Sequence, residues 1–383
     1  MDLESFLASK PLFYDVIDYG RFPKAYGKIA HLLYESKIIH IVGTNGKGST
    51  GRFLATALSR LGKKTGHYTS PHIVYFNERI WRDGEDINNP DLEVAHQKLM
   101  GFLDTPTAES LSYFEYTTLL AMVAFEGCEY VVLEAGLGGE FDATNVFDKV
   151  LSIFTPIDFD HAAFLGSTIE SIAGTKLRSM QTKALLGIQK HDEIETIACE
   201  IALVKHCKLH KVQEDIDSRI HTIGLQLALK NGLSDYLRDN CELAMVAFEL
   251  LGYKVEESHF DQKALFGRLS QILPNVTLDV GHNALAARAI VKAFEGQKTT
   301  LIYNSYGDKD YHQILSLLAP IIDTVAIIDV EEERIVARPL LEEVLKELRL
   351  SYGVFESIDP QKEYLVFGSF SVAEAFLKRI KYP

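Results

Sequence analysis

Ile38-Ile39-His40-Ile41-Val42-Gly43-Thr44-Asn45-Gly46-Lys47-Gly48-Ser49-Thr50 is the stretch on which the fold turns. Its opening run is β-branched and apolar apart from His40, as in a strand buried on both faces. Behind the glycines, residues 49–61 carry a helical pattern. A buried strand, a glycine turn and a helix start aim several backbone N–H groups at one point. The helix dipole adds positive potential there, and Lys47 adds a full charge suited to β- and γ-phosphates. Asn45, Gly46, Lys47, Gly48 and Ser49 are therefore candidate phosphate ligands. The common nucleotide loop reads G-x-x-x-x-G-K-[ST], whereas here Gly48 separates the lysine from the hydroxyls of Ser49 and Thr50.

Outward from this loop, short apolar runs alternate with longer amphipathic stretches, the pattern of an α/β protein with mainly parallel sheets. Strands are expected at 38–42, 130–133, 150–154, 276–278, 299–303, 325–328 and 364–367. Helices are expected at 49–61, 116–125, 241–251, 284–294, 311–318, 339–348 and 372–380. The strands beyond residue 257 form a second β/α series, so two domains are expected, 1–257 with the phosphate loop and a smaller 258–383. The boundary falls at 252–259, where Gly252-Tyr253-Lys254 and an acidic turn follow a helix. Residues 181–221 show no clean period.

Composition narrows the function. The 383 residues are 47% hydrophobic and 24% charged, the profile of an ordinary globular protein. With 39 basic and 53 acidic residues the formal charge is −14, which argues against a nucleic-acid or anionic-membrane binder. The acidic start Met1-Asp2-Leu3-Glu4 lacks the build of a secretory leader, and no apolar run approaches a membrane span. Cys128, Cys199, Cys207 and Cys241 lie far apart with no Cys-x-x-Cys pair, so neither a zinc site nor a disulfide framework is expected. These features lead us to expect a cytoplasmic protein.

Three further groups fall at strand or helix ends. Tyr130-Val131-Val132-Leu133 delivers Glu134 to the carboxyl rim of a buried strand, where α/β proteins place ligands and where a carboxylate can hold Mg²⁺. The next strand delivers Asp158-Phe159-Asp160-His161 to the same rim. Lys176 closes the helical run after Ile169 and by itself reads as a surface lysine.

Together these motifs resemble the Mur ligase superfamily, in the form of folylpolyglutamate synthase and dihydrofolate synthase. The loop Gly43–Ser49 carries that family's Gly-Lys-Gly-Ser. Tyr68-Thr69-Ser70-Pro71-His72 with Phe76-Asn77-Glu78-Arg79-Ile80 is similar to its second signature, and Tyr113-Phe114-Glu115-Tyr116-Thr117 to its pterin-side segment. Leu133-Glu134-Ala135-Gly136-Leu137-Gly138-Gly139 with Phe141-Asp142-Ala143-Thr144-Asn145 resembles its central block. Asp158–His161 with Phe164-Leu165-Gly166 follows, and Gly267-Arg268-Leu269, Asp279-Val280-Gly281-His282-Asn283, Asp308-Lys309-Asp310 and Gly368-Ser369 recur in order.

The resemblance implies an N-terminal P-loop-type ATPase domain, a smaller Rossmann-like C-terminal domain, and an ATP- and Mg²⁺-dependent ligase. Such an enzyme adds L-glutamate to dihydropteroate, to reduced folates or to both through an acyl phosphate, and the Tyr113–Thr117 segment favours retention of dihydropteroate binding and so of both activities. Asn45 to Ser49 would cradle ATP, with Asn240, Arg268, Asp279 and His282 as further nucleotide ligands. Ser70, Glu134 and His161 would hold magnesium at two sites, and Lys176 falls where the family has a carbamylated lysine that adds an anionic oxygen ligand. Lys47, Glu134, His161 and Lys176 form the implied catalytic set. Tyr113, Phe114, Glu115, Phe141, Asp142 and Ala143 would line the pterin pocket of a monomer that acts on small molecules. The chain departs from the pattern at Thr175-Lys176-Leu177-Arg178-Ser179, where Glu-Lys-Ala-Gly-Ile is common. It departs again where Asp-Gly-Ala-His-Asn-Pro becomes Asp279-Val280-Gly281-His282-Asn283-Ala284, and at Glu140, which stands where an arginine is usual. Alternatives are a peptidoglycan-precursor ligase of the same superfamily, a P-loop protein that hydrolyses nucleotide without ligation, and an inactive scaffold.

Overall fold

A computed structural model describes residues 1–10 and 18–382, the side chains of Ala162 and Ala163 excepted. The chain divides into two units, Met1–Lys230 with Leu237–Gln262, and Asn231–Tyr236 with Lys263–Pro383. Both are sheets flanked by helices, and both are mainly parallel, as the alternating pattern predicts.

The first unit holds β1 (Lys37–Val42), β2 (Thr65–Tyr68), β3 (Ile80–Arg82), β4 (Glu85–Asp86), β5 (Tyr130–Glu134), β6 (Lys149–Phe154), β7 (Lys183–Leu186) and β8 (Lys208–Lys211). Their order across the sheet is β4-β3-β2-β5-β1-β6-β7-β8. The run from β2 to β8 is parallel, and β3 and β4 add an antiparallel edge. β1 sits between β5 and β6, so its loop opens at the point where the chain turns to opposite sides of the sheet, the usual ligand crevice of an open parallel sheet. One face packs the helix Tyr113–Ala124 over Val131 and Leu133. The other packs Ile169–Leu177 and Asp192–Val204 over Val42, Phe154 and Leu186.

The second unit holds β9 (Ser270–Leu273), β10 (Val276–Leu278), β11 (Thr299–Tyr303), β12 (Ile322–Ile327), β13 (Tyr352–Val354) and β14 (Tyr364–Phe367), in the order β13-β12-β11-β14-β10-β9. Only β9 runs antiparallel. Its core joins Leu301, Tyr303, Val325 and Leu365 to the helices Tyr311–Leu318 and Arg338–Glu347.

Five helices start earlier than the apolar pattern places them, three of them with a consequence for the site. Lys47 is the first residue of the helix Lys47–Arg60, so its side chain springs from the loop itself. Ser112 caps Tyr113–Ala124 in a box with Glu115, which makes Tyr113, Phe114 and Glu115 its first turn. The helix Asp235–Leu250 extends six residues ahead of Cys241 and carries Asn240. Strands β2, β3, β4, β7, β8, β9 and β13 escape the apolar pattern: Thr65-Gly66-His67-Tyr68 and Lys208-Leu209-His210-Lys211 have no run of apolar residues, β7 lies in the illegible 181–221 stretch, and β3, β4, β9 and β13 are only two to four residues long. No helix among the described residues is long and apolar enough to cross a membrane.

Candidate active site

The loop between β1 and its helix is pinned from both sides. The Thr44 N–H donates to the Pro156 carbonyl at 2.9 Å, and the Thr44 hydroxyl donates to the Asp158 carbonyl at 3.0 Å. At the helix start Gly46 takes φ +91°, a left-handed conformation that suits glycine. A Cβ there would lie 2.5 Å from Asn240 Oδ1, so Asn240 packs directly on the turn. Lys47 Nζ lies 3.4 and 3.3 Å from the Gly43 and Thr44 carbonyls and 3.7 Å from Glu134 Oε1.

Glu134, 5% exposed at the end of β5, accepts a hydrogen bond from the Thr69 hydroxyl and a longer one, 3.4 Å, from the Ser70 N–H. The expected partners Lys47, Glu134 and Ser70 thus meet in one corner. Thr69 belongs with them; its hydroxyl stands one residue before the expected Ser70, and that adjacency was the available signal. Ser49 is buried, and its hydroxyl has no hydrogen-bond partner. A buried, unused hydroxyl on the loop and a carboxylate at the end of the adjacent strand are oxygen donors of the kind that suits a hard divalent cation. Among the described residues no three His, Cys, Asp or Glu side chains gather into a metal cluster. A cation here would therefore lean on hydroxyls, on substrate phosphates and on water.

Lys176 contradicts the surface reading. It is 4% exposed at the end of Ile169–Leu177, and its amine donates to the Gly43 carbonyl at 2.9 Å. Burial, reinforced by the Lys47 charge, pulls the amine down to about 7, with Asp160 and Asp142 drawing it the other way. His161 adopts φ +52°, and its N–H donates to Asp160 Oδ1 at 2.8 Å, which turns the side chain at the end of the β6 loop.

The aromatic side of the site is built on the first turn of Tyr113–Ala124. Phe114 lies against the backbone of Gly136 and 5.9 Å from the Tyr68 ring. Tyr113 meets Phe76 edge-on, with the Arg79 guanidinium 5.3 Å from the Tyr113 ring centre. Arg79 also donates to His72 Nδ1 at 2.8 Å, and burial together with that cation holds His72 down at about 4. Phe141 is 56% exposed and pairs with Tyr19 at 4.6 Å.

Two expected pocket carboxylates are occupied inside the fold. Glu115 caps its helix and pairs with Arg21 at 2.8 Å. Asp142 Oδ2 accepts from the Gly136 and Leu137 N–H groups at 2.9 Å each, while Oδ1 accepts from the Thr144 N–H and hydroxyl at 2.9 and 2.5 Å. Since that hydroxyl donates to the carboxylate, His40 Nε2 must donate to it, at 2.8 Å. The imidazole is fully buried and held neutral by desolvation. Asp142 therefore shapes the loop after β5, and Ala143 is buried in the turn that follows.

In the second unit Asp279 is the organiser. Its Oδ2 accepts from the Tyr236 hydroxyl at 2.9 Å and the Leu269 N–H at 3.0 Å, and Oδ1 from the Gly281 N–H at 2.8 Å. These bonds hold Arg268 5.5 Å and His282 6.4 Å from the ring centre of Phe370, at the start of the helix Phe370–Arg379.

No protein-family model matches the chain. It is 31% identical over 323 residues to the dihydrofolate synthase/folylpolyglutamate synthase of Haemophilus influenzae, covering 75% of this chain and 72% of that one. It is 40% identical to the crystal structure of Helicobacter pylori folylpolyglutamate synthetase, covering 100% and 98% of the two chains with a TM-score of 0.80. The fold also matches E. coli FolC in complex with DHPP and ADP, at 24% identity over 100% and 98% of the chains and a TM-score of 0.84.

Proposed function

The chain belongs to the dihydrofolate synthase/folylpolyglutamate synthase family, whose members are ATP-dependent, ADP-forming ligases of the Mur type, and from that premise we propose that it joins L-glutamate both to dihydropteroate and to reduced folates. The observation that carries the chemistry is the convergence of Lys47, Glu134 and buried Lys176 on the loop that opens at Gly43.

A carboxylate is a poor electrophile, so it first takes the γ-phosphoryl group of ATP and becomes an acyl phosphate. The amine of glutamate then attacks the acyl carbon, a tetrahedral oxyanion forms, and phosphate leaves. The first step brings two anions together, and Lys47 with the N–H groups of Gly46 to Ser49 offsets their repulsion. The same groups face the oxyanion of the second step. Ser49, Ser70, Glu134 and His161 are the residues we assign to a divalent cation. When bound, such a cation neutralises phosphate charge and polarises the transferred group.

Lys176 fits the carbamylation that the resemblance implies. CO₂ adds to a neutral amine with loss of a proton, and an amine held at about 7 is largely neutral just above neutral pH. Asn240 lies against the loop and is assigned to the nucleotide, as are Arg268, Asp279 and His282 by resemblance. Tyr113, Phe114 and Phe141 offer ring surface to a flat heterocycle. The four cysteines are unpaired, as in a reducing compartment, which supports a cytoplasmic enzyme acting on small molecules.

The test is ADP formation by purified protein with ATP, Mg²⁺ and L-glutamate, run with dihydropteroate, with tetrahydrofolate and with neither. Stimulation by both acceptors is expected. Stimulation by one alone removes the second activity, and none above the acceptor-free rate leaves nucleotide hydrolysis without ligation.

A further inference from the structure

Glu140 and Arg178 stand at two of the positions where the chain leaves the family pattern, and they meet each other. Arg178 Nε donates to Glu140 Oε2 at 2.5 Å, across 38 residues of sequence. Around this pair two backbone segments are locked together. The Glu140 N–H donates to the Thr175 carbonyl at 2.9 Å, and Asn145 Nδ2 donates to the Glu140 carbonyl at 2.7 Å. Gly139 brings the segments into contact: a Cβ there would lie 2.7 Å from the Lys176 carbonyl oxygen and 3.1 Å from Lys176 Cα. The second partner is fixed as well. Arg178 Nη2 reaches the Thr175 hydroxyl at 3.4 Å, and the Arg178 carbonyl accepts from Lys205 Nζ.

Two residues before Arg178 and within the same turn, the Lys176 amine donates to the Gly43 carbonyl at 2.9 Å. The helix Ile169–Leu177 is closed by the Arg178 N–H on the Gly174 carbonyl at 3.0 Å and by the Ser179 hydroxyl on the Lys176 carbonyl at 2.7 Å, so Arg178 ends the turn that carries Lys176. We infer that Glu140 and Arg178 are a positioning pair, fastening the loop after β5 to the end of that helix so that Lys176 is set against the nucleotide loop. Glu140 is thus committed to Arg178, and its charge is answered within the protein. The inference rests on the assignment of Lys176 to the active site made above.

The test uses the full chain with Glu140→Arg, Arg178→Glu, the double exchange and the milder Glu140→Gln, which serves if a reversal does not fold. Lys176 acetylation by a water-soluble N-hydroxysuccinimide ester is read by mass spectrometry, beside kcat and KM for ATP. Each single reversal is expected to lower kcat about tenfold with KM for ATP changed by less than about twofold, since a misplaced group acts on turnover. Lys176 should label several-fold faster in each. The double exchange should restore both readouts to within about threefold; a carboxylate at a helix C-terminus is the less favourable arrangement. On a Lys176→Met background Glu140→Arg should cost nothing more. The inference is overturned if the two losses multiply on that background, or if labelling of Lys176 is the same in every variant. If the parent shows no ligation at all, the proposed function falls, while the labelling rates and their recovery still decide the pair.

Discussion

Replacing Gly46 with alanine tests the loop geometry at its tightest point. The residue sits at φ +91° and ψ −10°, so an L side chain carries left-handed strain of roughly 1–2 kcal/mol. Its new methyl would also fall 2.5 Å from Asn240 Oδ1, and displacing that buried amide from its rotamer costs roughly 0.5–1.5 kcal/mol more. The sum is a loss of about 1.5–3.5 kcal/mol. The single tryptophan, Trp81, is buried in the first unit, so its fluorescence during urea unfolding follows the unit that carries the loop. Gly46→Ala should lower the stability read there by the summed amount and weaken ADP binding by about tenfold or more. Removing the amide separates the two contributions: compared with Asn240→Ala alone, the double variant should lose only the backbone part, about 1–2 kcal/mol. If Gly46→Ala unfolds within about 0.5 kcal/mol of the parent and binds ADP equally well, the left-handed turn packed on Asn240 is the wrong description of this loop.

Lys176→Met should abolish ligation, by about 100-fold or more, yet unfold no earlier than the parent at pH 7, because it removes a buried amine with one hydrogen bond. The amine is protonated in the unfolded chain up to about 10.5 but in the fold only below about 7, so its cost to stability is full below pH 7 and fades as pH rises toward 10.5. The melting advantage of Lys176→Met should therefore shrink with rising pH, and an advantage independent of pH would place the amine in solvent. Asp142→Asn turns an amide NH₂ toward backbone donors and should cost about 3 kcal/mol in thermal or urea unfolding; a loss under about 1 kcal/mol would detach Asp142 from the Gly136 loop. His72, held at about 4, should show no imidazole titration by NMR between pH 5.5 and 8, and a midpoint near 6.5 would remove it from beside Arg79.

The fold was legible wherever burial writes itself as a run. β1, β5 and β6 are buried along nearly their whole length and read directly as strands, and so do β10, β11 and β14 in the second unit. What escaped lies at edges or is shaped by partners. β8 is a half-exposed edge strand of mixed residues, and β2 uses Gly66, against which Phe125 packs, in place of an apolar side chain. The apolar pattern places five helix starts one to six residues late, because capping and polar buried groups, such as Ser112 with Glu115, extend a helix without extending its apolar stripe.

In the candidate site the same division holds, and it explains why motif and role can part company. The loop from Asn45 to Ser49 and the strand-end Glu134 are local: spacing along one strand–turn–helix sets them, so sequence reaches them. Lys176 is a different case. Its burial depends on Gly139 letting two backbones touch and on Gly43 offering a carbonyl 133 residues away, neither of which leaves a trace near position 176. Asp142 and Glu115 show the converse. Both stand inside recognisable motifs, yet one carboxylate is consumed by four bonds within its own loop and the other by a helix cap and Arg21. A motif records that a residue type is needed at a place. Whether the need is for a contact with substrate or for the loop that makes the contact is settled by where the hydrogen bonds go. The two departures at Glu140 and Arg178 follow the same logic, because each looks like a lost charge relation until the partner is seen, and the pair restores one across the same junction.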